Sequence, residues 1–408
     1  MTTSTPSPAR WPCTSTASAV GTSSCTRGRP ATTCANSPSG PPRSTGVPAD
    51  RAQPHRRSKN VSSLPARADA VVIGGGVIGT SAAYHLAEAG VDTVLLERGT
   101  LGGGSSAHTA GMVRTYFPGA AGTGELAVRS LNAYQDFARR TEAPLGLKRL
   151  GFMVLFTEEQ QLAAFEADRR AQQDAGVEVR LISADQAAEL NPLISRRTVL
   201  AAAWSPQAYH VDGLNIVRGY AAGARNHGAR LFTHTPVTSI DDDNTVHTPQ
   251  GSIRADSIVC TAGPWSGEVA SMASVDLSLA PGAIEMLFTD VPPAALHELP
   301  MTMHATSGLR IRSWKDRILL AMGVPKGGET REAWLGRIGG HLGTLFPALD
   351  GIGLHRAWTG DFDAGPGNTA LIGAHPTRRF LYAAGFTGAG LCQAPAAGEK
   401  LRDLLIVK

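Results

Sequence analysis

Some seventy residues into the chain, VVIGGGVIGTSAAYHLAEAGVDTVLLERG restricts the fold more than any other stretch. ADAVVI is a short apolar run suited to a buried parallel strand, and GGGVIG follows it directly. TSAAYHLAEAG then sets apolar residues at helical spacing and ends on Gly90, a C-cap glycine. VDTVLLERG is a second apolar strand that closes on Glu97. Strand, glycine turn, helix and strand, with an acid at the second tip, form a βαβ dinucleotide unit. Gly74 permits the tight turn, Gly76 lets the backbone approach a pyrophosphate, and Gly79 lets the helix pack close to the strand. Val77 and Ile78 open the helix, whose unpaired N–H groups and dipole attract phosphate. Glu97 can accept hydrogen bonds from ribose hydroxyls, and its charge would repel a 2′-phosphate. GxGxxG alone is weak evidence; in register with both strands, the helix and the acid, it predicts a site for an ADP moiety. The unit does not choose between FAD and NAD.

The 408-residue chain is long enough for one large domain or two, and its formal charge is +4. That surplus is local. Residues 1–68 hold nine Lys or Arg against the single acid Asp50, so the remainder is mildly acidic and a nucleic-acid partner is not expected. The preamble is rich in Ser, Thr, Pro, Arg and Ala without helical or strand periodicity, and is predicted to be a disordered low-complexity extension. Its composition fits an organelle transit peptide, and Arg56-Arg57 suggests a twin-arginine signal, although no apolar segment follows. The favoured origin is an upstream stretch included by a misplaced start codon, because neither an amphipathic face nor an h-region is visible. A cytoplasmic location is expected, with organellar targeting by these residues as the alternative. No apolar run of transmembrane length occurs. Five cysteines without CxxC or regular spacing predict neither a disulfide framework nor a metal site.

Three further segments bear on the nucleotide. RGTLGGGSSAHTAGMVRTYFPG follows the ribose-binding strand and is suited to wrap over a flavin's pyrophosphate and ring. GARLFTHTPVTSIDDDNTVHTPQGSIRADSIVCTAGPWSG reads as strand, hairpin, strand and glycine turn, with Gly263 at the strand's C-terminal edge. RRFLYAAGFTGAGLCQAPAAGEKLRDLL gives a strand, a second Gly-rich turn and a final helix, whose N-terminus can face the flavin C2 carbonyl and stabilise the charge of reduced flavin.

In order, VVIGGGVIG, GSSAHTAGMVR, YHVDGLNIVRGYAAGARNHGARL, PVTSI, VCTAGPWS and GFTGAGLCQAPAAGEKL resemble the FAD-dependent D-amino acid oxidase superfamily over about residues 69–407. The branch resembled includes sarcosine oxidases (with their β subunits), dimethylglycine and sarcosine dehydrogenases, and glycine oxidase. The resemblance implies an α/β, Rossmann-like FAD-binding domain (roughly 69–145, 205–270 and 355–407) interleaved with an antiparallel-sheet α+β substrate domain (roughly 146–204 and 271–354). It places FAD on Gly74, Gly76, Val77, Ile78, Gly79, Glu97, Arg98, Ser105, Ser106, His108, Val237, Gly263, Gly385, Thr387, Gly388 and Gly390. His108 matches the setting of the histidine bonded to the flavin 8α-methyl in dimethylglycine and sarcosine dehydrogenases; a noncovalent histidine near the ring is the alternative.

Arg114 takes the place of the arginine that grips the substrate carboxylate in sarcosine oxidases, a task suited to a planar, permanently charged guanidinium. The family's GFSGHGFK is here GFTGAGLC, so Cys392 stands for the lysine and Ala389 for the histidine. Arg310 or Arg312, on one side of a strand, can supply the second positive charge; the resemblance favours Arg312, since family members often carry an arginine before a turn there. Cys392 is expected to be inert packing. Tyr209, His210 and Asp212 are expected to fix the turn into the next helix. The implied reaction oxidises the C–N bond of a small, N-methylated or secondary amino acid to an imine, by hydride transfer to flavin N5. The acceptor is O2 or an electron-transfer protein. Alternatives are a D-amino acid dehydrogenase or glycine oxidase-type enzyme, the FAD-binding subunit of a multi-subunit amine oxidase with partner subunits, and a non-catalytic flavoprotein.

Overall fold

A computed structural model describes residues 63–292 and 298–406; the expected preamble, up to residue 62, lies outside them. Strand β1 (Arg67–Ile73) begins two residues before the expected start at Asp69, because Arg67 and Ala68 already pair with Arg254 and Ala255. The helix α1 (Val77–Glu88) returns the chain to β2 (Thr93–Leu96), which lies parallel to β1. On the other side of β1 runs Gly251–Cys260, followed by Phe380–Ala384, while Arg230–Phe232 extends the sheet beyond β2, all in parallel. These strands are nearly continuous apolar runs, as befits a sheet covered on both faces. Five parallel strands thus end at one edge, which is where ligands of such sheets sit. Antiparallel additions at Ser239–Ile240, Thr245–Thr248 and Leu371–Ala374 bring the sheet to eight strands.

The second sheet also has eight strands, in the order Leu354–Ala364, Ala280–Thr289, Arg317–Ala321, Arg310–Trp314, Met301–His304, Phe152–Phe156, Ala201–Ser205 and Arg180–Ser183. Every pairing is antiparallel except that of Met301–His304 with Phe152–Phe156. Residues 355–364 therefore depart from the expected nucleotide-binding portion: their backbone is committed to a ladder running from Ala280↔Ala364 to Thr289↔Leu354. The helix Arg331–Leu345 covers the outer face, burying Trp334, Ile338 and Leu342 against Ile311 and Leu320. With Ile311 facing that helix, Arg310 and Arg312 project from the opposite face of the strand. A small third sheet joins β3 (Met112–Arg114) to Ala208–His210 and Lys148–Arg149, setting Met112 beside His210. Among the described residues no helix is long and apolar enough to cross a membrane.

The C-terminal helix, Gly390–Ile406, packs tightly on α1. A Cβ on Gly398 would lie 2.4 Å from Ser81 Oγ, and the Ser81 hydroxyl donates to the Ala394 carbonyl at 2.8 Å. His85 is fully buried in this seam, edge-on to Tyr84, and burial pulls its pKa down so that it is neutral when folded. The unfolded chain takes up this proton near the ordinary value of about 6.5, before the folded one does. Stability is therefore full above that value and falls as the pH drops towards the depressed folded one. Replacing His85 by Leu should flatten the fall in urea midpoint between pH 7.5 and 5.5, by up to ~1.4 kcal/mol per pH unit. An unchanged slope would show that the ring is not buried in its neutral form.

Candidate active site

The glycine turn at the end of β1 is built from contacts that admit no side chain. Gly74 has φ +110°, and a Cβ there would lie 2.5 Å from the Thr261 carbonyl; a Cβ on Gly79 would lie 1.8 Å from the Gly74 carbonyl. The first turn of α1 is thereby pressed onto the tips of two parallel strands. Glu97 is held by two backbone donors, Gly75 N–H to Oε2 and Gly99 N–H to Oε1, both at 2.7 Å. Its carboxylate keeps acceptor capacity for hydroxyls of a ligand. The Val77 N–H, at the N-terminus of α1 with Ile78 behind it, donates to Ser106 Oγ at 3.0 Å. The loop after Arg230–Phe232 closes this end: Thr235 N–H donates to the Glu97 carbonyl at 2.9 Å, and Val237 packs half-buried against the cluster containing Ile73 and Leu96. Arg98 lies over the Trp265 ring at 3.7 Å, and Trp265 follows the left-handed Gly263.

The turn carrying Ser105 and His108 is clamped to the second sheet. Ser105 Oγ donates to the Asp361 carbonyl at 2.5 Å, and a Cβ on Gly360 would meet the His108 carbonyl at 2.5 Å. The exposed His108 ring places Nδ1 3.0 Å from the Gly104 carbonyl. A carbonyl only accepts, so Nδ1 carries the proton and the neutral ring keeps its free lone pair on Nε2. The last Gly-rich turn is shaped by Asp363, a residue that no sequence motif marks. Its buried carboxylate accepts from Gly385 N–H at 2.6 Å, and its carbonyl accepts from Thr387 N–H at 2.9 Å. Gly385, Thr387 and Gly388 all have left-handed φ, and Gly390 begins the terminal helix.

A cavity of about 630 Å³ lies between the segment 106–111 and the inner face of the second sheet, lined by Ser106, Thr109, His210, Arg312, Trp314 and Trp358 among others. Three buried nitrogens on its walls have no hydrogen-bond partner among the described residues: His210 Nε2, Arg312 Nε and Trp358 Nε1. Arg312 is 7% exposed, and its Nη1 donates to the Gly111 carbonyl at 2.8 Å. Burial pulls its pKa down to about 10, and burial with neighbouring Arg312 and Lys148 brings His210 to about 3. At neutral pH, Arg312 is a cation and His210 is not.

Arg114 stands apart from the lining of this cavity. Its guanidinium lies over Phe117 and Phe152 at 3.8 and 4.7 Å and donates to the Tyr116 carbonyl. Burial, with Cys392 opposing and Arg310 adding to the effect, brings it to about 10. Cys392 is buried, its thiol raised by burial and directed at the Met112 carbonyl at 3.5 Å, which is a packing role. Among the described residues, neither Arg114 nor Arg312 forms an ion pair with a carboxylate. Asp212 caps the helix Gly213–Asn226 by accepting from Leu214 N–H at 2.9 Å. Its neighbour His210 instead faces the cavity, a placement that arises only from the pairing of Ala208–His210 with β3.

Comparison with known proteins agrees with this geometry. Residues 69–404 match the family model described as DAO, FAD dependent oxidoreductase. Mitochondrial dimethylglycine dehydrogenase of Mus musculus is 31% identical over 370 residues, 83% of this chain. The chain spans 42% of that relative's length. Glycine oxidase of Bacillus licheniformis is 29% identical over 83% of this chain and 93% of its own length. The solved structure of L-proline dehydrogenase from P. horikoshii superposes with a TM-score of 0.76 at 24% identity, covering 84% of this chain and 94% of that one. A glycine cradle at the strand tips and an acid fixed at the end of β2 suit the FAD that the family description names, and the chain belongs to the DAO family of FAD-dependent oxidoreductases.

Proposed function

We propose that this chain oxidises the carbon–nitrogen bond of a small amino acid, N-methylated or otherwise secondary at nitrogen, to an imine that water then hydrolyses. The reading is carried by Arg312, a buried guanidinium, and Arg114, a half-buried one, neither of which is neutralised by a carboxylate among the described residues. An uncompensated buried charge is costly, and a ligand carboxylate offers a planar, bidentate counter-charge. The two large sheets support a division into two interleaved portions, with residues 355–364 on the substrate side.

Gly74, Gly76, Val77, Ile78 and Gly79 would hold the FAD pyrophosphate, with Glu97, Arg98 and Val237 at the adenylate end. Ser105, Ser106, His108, Gly263, Gly385, Thr387, Gly388 and Gly390 would hold the flavin end. FAD, when bound, supplies the two-electron acceptor. The chain's own work is placement: Arg114 fixes the carboxylate, with the positive field of Arg310 beside it, and so orients the C–H bond next to nitrogen. Trp314 and Trp358 wall the cavity and exclude water, while neutral His210 adds no competing charge. An amine that arrives uncharged needs no strong base for its proton, which agrees with a site lacking an ionised carboxylate beside either arginine. His108, with Nε2 free, is the residue for a covalent flavin link. The electrons leave to O2 or to an electron-transfer protein.

A second reading is an FAD-binding subunit of a larger amine oxidase. Native size in cell extract distinguishes the two: migration at the single-chain or homo-oligomeric mass supports an enzyme that works alone.

Two measurements test the main reading. Acid precipitation of the purified protein should leave yellow colour in the pellet, and His108→Ala should move it wholly to the supernatant; free flavin from the unaltered protein removes the covalent link. Arg114→Ala should weaken substrate capture, read as kcat/KM with sarcosine or dimethylglycine, by about 2–4 kcal/mol. An unchanged value would take Arg114 out of the site.

A further inference from the structure

The antiparallel extension of the first sheet carries a hydrogen-bonded relay that amine oxidation does not use. In the strands Thr245–Thr248 and Gly251–Cys260, alternation sends Val246 and Ile253 into the core and leaves His247 and Ser252 opposite each other on the outer face. Ser252 Oγ lies 2.8 Å from His247 Nδ1, and His247 Nε2 lies 2.7 Å from Asp241 Oδ2. A carboxylate only accepts, so Nε2 carries a proton, and in the neutral ring Nδ1 is left to accept from the Ser252 hydroxyl. Both bonds therefore have a fixed sense: serine donates to imidazole, and imidazole donates to aspartate.

Asp241 is the first of three consecutive acids, and the other two are engaged by arginines. Asp242 meets Arg378 at 3.2 Å, and Asp243 pairs with Arg254. The backbone of Asp241 is tied to the hairpin as well, since its N–H donates to the Thr245 carbonyl at 2.9 Å. Its carboxylate is thus held against the imidazole, on the side away from the serine. A hydroxyl within reach of a base that a third group orients is the arrangement that activates a nucleophile. Ser252 is exposed, and none of the three residues lines the cavity described above.

We propose that Ser252 is an acyl-acceptor site, separate from the flavin region, that takes small acyl groups from neutral activated esters. Ser252 Oγ forms a bond to the acyl carbon while its proton passes to His247 Nδ1. The bond from that carbon to the ester oxygen breaks, the alcohol leaves as its anion, and the imidazolium then gives up the proton. Asp241 keeps the ring aimed at the serine and stabilises the imidazolium while it is charged.

The flavin-loaded full chain treated with p-nitrophenyl acetate tests this, with acetylation located by peptide mass spectrometry. Ser271 is an internal control, an exposed serine whose hydroxyl donates to the Gly267 carbonyl and has no base beside it. Ser252 should be acetylated about tenfold or more faster than Ser271. His247→Gln should bring the two serines within about twofold, and Asp241→Asn should slow Ser252 by about threefold or more. Flavin content equal to that of the unaltered protein shows that each variant has folded. Equal acetylation of Ser252 and Ser271 in the unaltered protein overturns the proposal, as does a Ser252 rate unchanged in His247→Gln. A p-nitrophenol burst that persists in Ser252→Ala also overturns it, because the imidazole would then be the nucleophile.

Discussion

The contact on which this molecule depends is the approach of α1 to the tips of the parallel strands. Gly79 comes so near the Gly74 carbonyl, and Gly74 so near the Thr261 carbonyl, that hydrogen atoms are all that fit. This closeness lets the helix N-terminus and the strand ends share one small volume, where backbone donors and the helix dipole act on the same ligand atoms. The remaining glycine-rich turns, around Gly263 and Gly385, bring further backbone to the same edge of the sheet. Without that first contact, the 97–109 segment would lose its footing, because Ser106 is anchored to α1 and Glu97 to Gly75.

The electrostatics of the site follow from burial rather than from pairing. Arg312 is buried and Arg114 half-buried, with no carboxylate paired to either among the described residues, His210 is kept neutral, and Asp363 is raised by burial while it shapes the last turn. Stability alone would favour a neutralising acid beside each guanidinium. Under the proposed function, an internal acid beside either guanidinium would compete with the substrate anion.

The first βαβ unit was legible because strand, turn, helix and strand follow one another within thirty residues, and each leaves a local signature in periodicity and glycine placement. The site on the second sheet was legible only in part. Arg312 was singled out through the family resemblance and His210 was expected only to fix a turn, while nothing local marked Trp358 or Asp363; these residues take their places through pairings between distant segments. Arg114 was read as a residue of the substrate site, yet the structure separates it from the cavity lined by Arg312, a distance no one-dimensional pattern encodes. The strand Leu354–Ala364 was misassigned for the same reason: its run mixes polar and apolar residues, and its place is decided by its partner Ala280–Thr289.

Gly360 and Asp361 touch the His108 turn across some 250 residues of chain. Contacts of such long sequence separation are among the last to close during folding. The histidine loop is laid down early in synthesis but reaches its final shape only when a strand made near the end has joined its sheet. A truncated product would leave the histidine turn unbuttressed however well its βαβ unit had formed.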